Sequence, residues 1–527
     1  MNAIQKLHRR SREFGKAAAL SKLRLLQRIA RMPRPGKQDL RLLGETLDFL
    51  RAYPDNAQVL KEVRSLVEDL PAACTVYEYS YAVLRRLVEL RPGELEIEWN
   101  DLEDQDPLLD ALALAVLPGE AQGLEDIGID LEDWFAASKL HASTTDLEFL
   151  LHLFEGSDLP EPQRVFLFEN SRLPVRYQAP CPASLGMPVE SVRYQRRPIQ
   201  DARPPITRLI RQPLGEVKRA GQEIIDLALQ SLCARELEIF PLIYANPADV
   251  VVVECGRNFQ VALVGVLPRW RSPLESLYFF LILKNGVPLA YGPAAVFLGC
   301  CELGINLFPE FRGGETRYLY AQFMRVLHHL LGADYFFLTR YGMGENNDEA
   351  LRTGAFWFYR KLGLRPTNPA VEKIARAEEA RKAANRHHRS DLRTLRRMSQ
   401  TEAFLDLSGG KHRPMDLGRL GLAQSRLVES QFGGDRARAE SRCASRAAAL
   451  LGVDARGRAL RALAPLLALI PDLGSWNPWD RATLGRAIHA KDGRSEARAT
   501  RLLADHPRLG DALRQVAARE QEPPQSS

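Results

Sequence analysis

The residues best spaced for chemistry run Leu307-Phe308-Pro309-Glu310-Phe311-Arg312-Gly313-Gly314-Glu315-Thr316, directly ahead of an amphipathic stretch of helical period. A strand that ends in an Arg-Gly-Gly turn and enters a helix exposes unpaired backbone N–H groups at the positive end of the helix dipole. Such an end suits a phosphate or pyrophosphate. The glycines let the backbone approach an anion closely, and the Arg312 guanidinium adds a bidentate donor. Many strand-to-helix turns carry glycine and bind nothing, so the turn points to an anion without proving one.

Other reactive side chains are dispersed. The seven Cys residues are scattered, odd in number and free of any C-x-x-C pair, which fits a reducing, cytoplasmic compartment. Cys300 and Cys301 read as an apolar strand pair. His328 and His329 are adjacent on a helix and point in different directions, so they cannot share a metal. His387-His388 lacks a Cys partner, and Ser408-Gly409-Gly410-Lys411 lacks the first Gly and the Ser/Thr of a P-loop. No metal is expected.

The elements that position the turn follow from the apolar period. Glu216 to Leu237 reads as a helix; Val250 to Val253, Gln260 to Leu267, Leu277 to Leu283, Val287 to Phe297 and Cys301 to Phe308 read as strands. Asn285-Gly286 between two of those runs is a type I′ hairpin signal, because both central positions need positive φ. A helix from Thr316 to Leu331, a strand from Tyr335 to Thr339 and a helix from about Asp348 to Leu362 follow. A strand meander followed by helix, strand and helix is an α+β or mixed α/β arrangement.

Those motifs resemble a known family. Leu307, Pro309, Arg312 and Gly313 match the acyl-CoA pyrophosphate turn of the Gcn5-related N-acetyltransferase (GNAT) superfamily. Ala355, Tyr359, Lys361, Leu362, Gly363 and Leu364 match its A-x-x-x-Y-x-K-L-G-F signature, with Leu for Phe, and Asn285-Gly286-Val287-Pro288 resembles its upstream hairpin. The resemblance covers Gly215 to Pro366 and implies acetyl-CoA, or another acyl-CoA, as cosubstrate of an N-acetyltransferase acting on an amine. It implies cofactor contacts from Arg312, Gly313, Gly314, Glu315 and Thr316, and Tyr359 as the acid that protonates the leaving thiolate.

Direct attack by an amine needs that amine neutral, so a base is expected near the strand before the turn. Glu302 and Glu345 are the candidates, each with a solvent-facing carboxylate as the alternative. The sequence departs from the family by placing Glu315 and Arg317 where it has two small residues. Glu315 would cap the helix, while its charge would oppose the pyrophosphate.

The chain of 527 residues is long enough for two or three domains, is 45% hydrophobic and 26% charged, and contains no apolar run long enough to span a bilayer. Its net charge of +6 conceals three blocks. Residues 1–38 carry eleven bases against Glu13; residues 39–165 carry nine bases against twenty-eight acids; residues 381–397 carry seven bases against Asp391. We therefore divide the chain into a basic amphipathic helix (1–38), read as docked on the acidic block with an organellar presequence or an anionic-membrane contact as the alternatives, an acidic, mainly helical domain (39–165), a Pro-rich irregular connection (166–214) and a GNAT-like acyl-CoA-binding domain (215–370). A basic helical arm (371–400), a helical C-terminal region (401–520) and a disordered tail (521–527) complete it.

The rival to an enzyme is an interaction protein that keeps the acetyltransferase-like fold without catalysis and binds an acidic partner or nucleic acid through its Arg-rich segments. The 381–397 run lacks aromatic interleaving and a reading motif, and docking on the chain's own acidic block is favoured for it.

Overall fold

Runs of β-branched and aromatic residues between Val217 and Asp406 build a ten-stranded mixed sheet, with helices before, within and after it. The structure, a computed structural model, describes residues 2–126, 130–139, 143–199 and 205–519; residues 200–204 of the Pro-rich connection and the tail from 521 lie outside those residues.

A small antiparallel sheet comes first, from β1 (Ala73–Tyr77), β2 (Leu95–Ile97) and β3 (Val175–Ala179), in the order β1-β3-β2. The large sheet follows from β4 (Val217–Arg219), β5 (Ala245–Glu254), β6 (Phe259–Val266), β7 (Ser276–Lys284), β8 (Val287–Phe297), β9 (Cys300–Glu302), β10 (Asn306–Leu307), β11 (Tyr335–Leu338), β12 (Arg365–Pro366) and β13 (Ala403–Asp406). Its order is β12-β13-β11-β9-β8-β7-β6-β5-β4, with β10 also on β8. Among the described residues the pairing is antiparallel except between β9 and β11, which run parallel. Parallel neighbours need a crossover, and the helix Thr316–Leu331 supplies it.

The Asn285-Gly286 hairpin forms where the sequence places it, with φ of 50° and 77°. Its tip is covered: the Gly286 carbonyl accepts from the Met187 N–H at 2.8 Å, and the Asn285 amide donates to the Ala52 and Arg193 carbonyls. A Cβ at Gly286 would sit 2.1 Å from the Met187 carbonyl oxygen, so only glycine fits that approach.

Several expectations need correction. Glu216 to Leu237 is not one helix: Val217–Arg219 is an edge strand, and Gly221, which lacks a side chain to pack, precedes the helix Gln222–Cys233. The helix expected from Asp348 to Leu362 is two, Asp348–Thr353 and Ala355–Lys361, broken at Gly354 with φ of 73°. Cys301 to Phe308 is two short strands parted at Leu303–Ile305. The C-terminal region contributes β13 to the sheet as well as helices, and the connection from 166 contains β3 and the end of the helix Glu161–Asn170.

The N-terminal basic segment forms two helices, Ala3–Arg10 and Lys16–Ile29, docked on the acidic block through Asn2 to Asp39 at 2.7 Å and a buried Lys22–Asp55 pair at 2.8 Å. Among the described residues the 371–400 arm makes no ion pair with that block. Arg360 grips Glu372 and Glu379 of its helix, and Arg396 faces Asp348, so the arm lies against the Asp348–Lys361 helices.

Apolar burial forms two cores. One runs continuously from the N-terminal helices through both sheets, and the other belongs to the C-terminal helices with Leu298. Buried polar groups join the second to the sheet. Arg271 donates to the carbonyls of Val266, Lys491, Gly493 and Arg494 at 2.6–3.2 Å, beside Asp249 and Glu496.

One half-buried acid makes stability depend on pH. Glu238 accepts from the Ser80 N–H at 2.9 Å and its hydroxyl at 3.3 Å, just before the helix Tyr81–Leu90, and burial pushes its carboxyl up to about 7. Between the ordinary carboxyl range and pH 7 the native state holds a proton that the unfolded chain has released, so stability falls as pH rises through that window and levels off above it. Glu238→Gln, which keeps an acceptor for Ser80, is expected to flatten this slope and gain at most about 3 kcal/mol over the parent at pH 8 relative to pH 5. Urea midpoints at the two pH values check it.

Candidate functional site

The parallel strands part where the sequence turns polar. Residues 300–302 of β9 pair with 335–337 of β11, the Leu303 N–H still donates to the Phe337 carbonyl, and then Asn306–Leu307 follow β8 instead. The gap opens into a cleft of about 1220 Å³, lined by Glu302 to Pro309 on one side and Leu338, Thr339, Ala355 and Tyr359 on the other. Its far wall comes from the helix Lys37–Ala52, with Arg41, Glu45 and Asp48. Such a volume exceeds that of most small-molecule sites and leaves room for a long cofactor.

Three expected site residues, Glu302, Arg312 and Tyr359, line this cleft although they come from separate segments. Gly313, Gly314, Glu315 and Thr316 do not line it; they form the turn next to Arg312 and the start of the Thr316–Leu331 helix. Glu345 lies in the bend between short helices and does not line it either.

Gly313 and Gly314 take φ of 88° and 72°, and Thr316 Oγ1 donates to the Gly313 carbonyl at 2.9 Å. The N–H groups of Gly313, Gly314, Glu315 and Thr316 find no acceptor among the described residues, the ordinary state of a helix start. Arg312 is exposed and faces the equally exposed Glu349 at 3.1 Å.

Glu315 departs from its expected role. Its carboxylate makes no cap and turns inward, 6% exposed, to Arg257 at 2.7 Å and Lys284 at 3.2 Å. Lys284 is itself buried between the rings of Tyr53 and Phe259, and burial holds it down at about 8 against the pull of Glu315. The Glu315 charge is therefore compensated inside the protein and directed away from the turn.

No family model, curated protein or solved structure matches the chain.

Tyr359 meets Tyr320 of the crossover helix, hydroxyl to hydroxyl at 3.1 Å. Burial raises the Tyr359 phenol above its ordinary value, partly offset by the Tyr320 bond, so it keeps its proton throughout the neutral range. Glu302 ends β9 with its side chain exposed to the cleft.

Three further residues, Arg235, Asp48 and Arg12, reach the turn with no local motif to signal them. Arg235 bridges Asp48 at 3.2 Å and Glu310 at 3.0 Å while lying 3.9 Å over the Phe308 ring, which fixes the start of the turn to the helix Lys37–Ala52. Burial raises the Asp48 carboxyl well above the usual range, with Arg235 pulling it down and Glu310 pushing it up. Arg12 donates to the carbonyls of Arg312 at 2.8 Å and Glu310 at 2.9 Å, bracing the turn from outside while leaving its N–H groups clear. These contacts span up to 300 residues, and no local pattern signals them.

Among the described residues no cluster of His, Cys, Asp or Glu could hold a metal ion, and no helix is long and apolar enough to cross a membrane.

Proposed function

We propose that the central domain transfers an acyl group from an acyl-CoA, most simply acetyl-CoA, to an amine. The observation that carries this reading is that Glu302, Arg312 and Tyr359 all line the cleft that opens where β9 and β11 diverge. Strand, Arg-Gly-Gly turn, helix, strand and helix follow one another in the order of the two motifs. Arg312 and the free N–H groups from Gly313 to Thr316 supply donors for a pyrophosphate. The inward turn of Glu315 removes the repulsion that its charge would otherwise exert.

In this reaction the amine nitrogen attacks the thioester carbonyl carbon, the C–N bond forms and the C–S bond breaks. The proton lost by the nitrogen passes to Glu302, directly or through water, and the departing thiolate takes a proton from Tyr359. The buried, protonated phenol suits the second task, and the exposed carboxylate can pass its proton to solvent.

Thiol release from acetyl-CoA in the presence of a panel of primary amines tests the reading. Amine-dependent release with a matching acetylated product is expected. Acetyl-CoA binding without turnover on any amine would favour the rival, an acetyltransferase-like interaction protein.

A further inference from the structure

A second cavity, of about 450 Å³, lies far along the chain from the cleft, where the loop after β13 meets the C-terminal helices. Its wall carries Lys411, His412, Arg413, His506 and Arg514 against one acid, Asp511. The start of the eleven-residue helix Leu509–Arg519 also faces it.

That helix start is prepared in an unusual way. His506 Nδ1 accepts from the N–H groups of Leu509 at 3.0 Å and Arg508 at 3.3 Å, so the next donors, Gly510 and Asp511, stay free among the described residues. The Arg514 guanidinium folds back over Gly510, where a Cβ would come within 3.3 Å of it, and spends one bond on Asp511 at 2.6 Å. Lys411 reaches Asp505 only at 3.4 Å, with both side chains largely exposed, and Arg413 has no ion-pair or hydrogen-bond partner among the described residues. His412, 5% exposed on the cavity wall, donates through Nε2 to the Ala504 carbonyl at 3.1 Å and has no hydrogen-bond partner at Nδ1.

We propose that this cavity binds an oxyanion of the phosphate class, held by Arg413, Arg514 and Lys411 together with the N–H groups of Gly510 and Asp511. Forked guanidinium donors, an ammonium and a helix start are the groups that recognise such anions. A bound anion would tie the loop at 408–413 to the C-terminal helices, since its ligands come from both.

The pH response follows from the two histidines. His506 cannot take a second proton without giving up the helix start, whereas His412 can accept one at Nδ1. Burial and Lys411 hold His412 neutral, while Asp334 at 3.9 Å and Asp505 pull the other way. An anion in the cavity adds to that pull, so sulfate, which does not itself titrate near neutrality, should bind more tightly at pH 6 than at pH 8.

Calorimetry with inorganic phosphate and with sulfate, at ionic strength matched by chloride, tests the proposal on the full chain. One anion per chain is expected here, weakened about tenfold or more in the variant R413Q/R514Q and unchanged in Arg312→Ala. Binding lost in Arg312→Ala but kept in R413Q/R514Q would place the anion at the Gly313 turn and overturn the assignment. Absence of binding at any concentration of either ion would overturn it too. Circular dichroism of the double variant guards against a folding defect, and Lys411→Gln, on an exposed side chain, gives an independent reduction.

Discussion

Tyr359→Phe is expected to lower amine-dependent CoA release by about 10²–10⁴-fold while leaving acetyl-CoA affinity within about twofold. The substitution removes one hydroxyl and keeps the ring that packs at 5.8 Å against Tyr320 and at 5.2 Å against Phe358. The lost bond to Tyr320 should cost about 1 kcal/mol of stability, too little to unfold the domain. Because burial raises the phenol above its ordinary value, the parent should show no alkaline limb from Tyr359 below about pH 10. Unaltered turnover in the variant would remove Tyr359 from the chemistry and leave it as a wall of the cleft.

Arg271→Met should destabilise the chain by about 3–5 kcal/mol and separate the C-terminal helices from the sheet. Arg271 is fully buried, and its loss strips the carbonyls of Val266, Lys491 and Gly493 of this donor. It also removes the cation beside Asp249 and leaves Glu496 to Lys491, whose Nζ bonds Glu496 and the Glu275 carbonyl. The C-terminal helices own a separate apolar core, so they should survive detachment. Calorimetric melting and limited proteolysis should then show two transitions and a released fragment beginning near residue 417. A single transition within about 1 kcal/mol of the parent would show that the apolar contacts alone hold the two parts together.

The parts legible in the sequence are those set by local pattern. The Asn285-Gly286 hairpin, the strands around it and the Thr316–Leu331 helix follow from turn chemistry and apolar period, and they appear with ends shifted by a few residues at most. What local pattern cannot encode is pairing at a distance. β13 joins the sheet beside β11 across more than sixty residues, and β1 meets β3 across about a hundred, so short strands inside helical regions carry no local signal.

The site divides in the same way. Arg312, the two glycines and Tyr359 stand in local motifs, whereas Arg12, Asp48 and Arg235 reach the turn only through tertiary contacts. Glu315 shows the limit of charge patterning: at a helix start it reads as a cap or a repulsive group, yet the buried Lys284 and Arg257 draw it inward. The 381–397 arm shows the same limit. Its charge complements the acidic block numerically, but the nearer partner is the Asp348–Lys361 region, where Arg360 and Asp348 already wait.

The central claim is that an acyl-CoA lies with its pyrophosphate on the Gly313 turn. Titration of acetyl-CoA into the full chain and into Arg312→Ala tests it most directly. Arg312 is exposed, and its pair with Glu349 is worth under about 1 kcal/mol, so the variant should fold as the parent does. Saturable binding to the parent, weakened about 10- to 100-fold in Arg312→Ala, is the result expected from losing one charged donor. No binding to the parent at millimolar acetyl-CoA, or equal affinity in both proteins, would contradict the account.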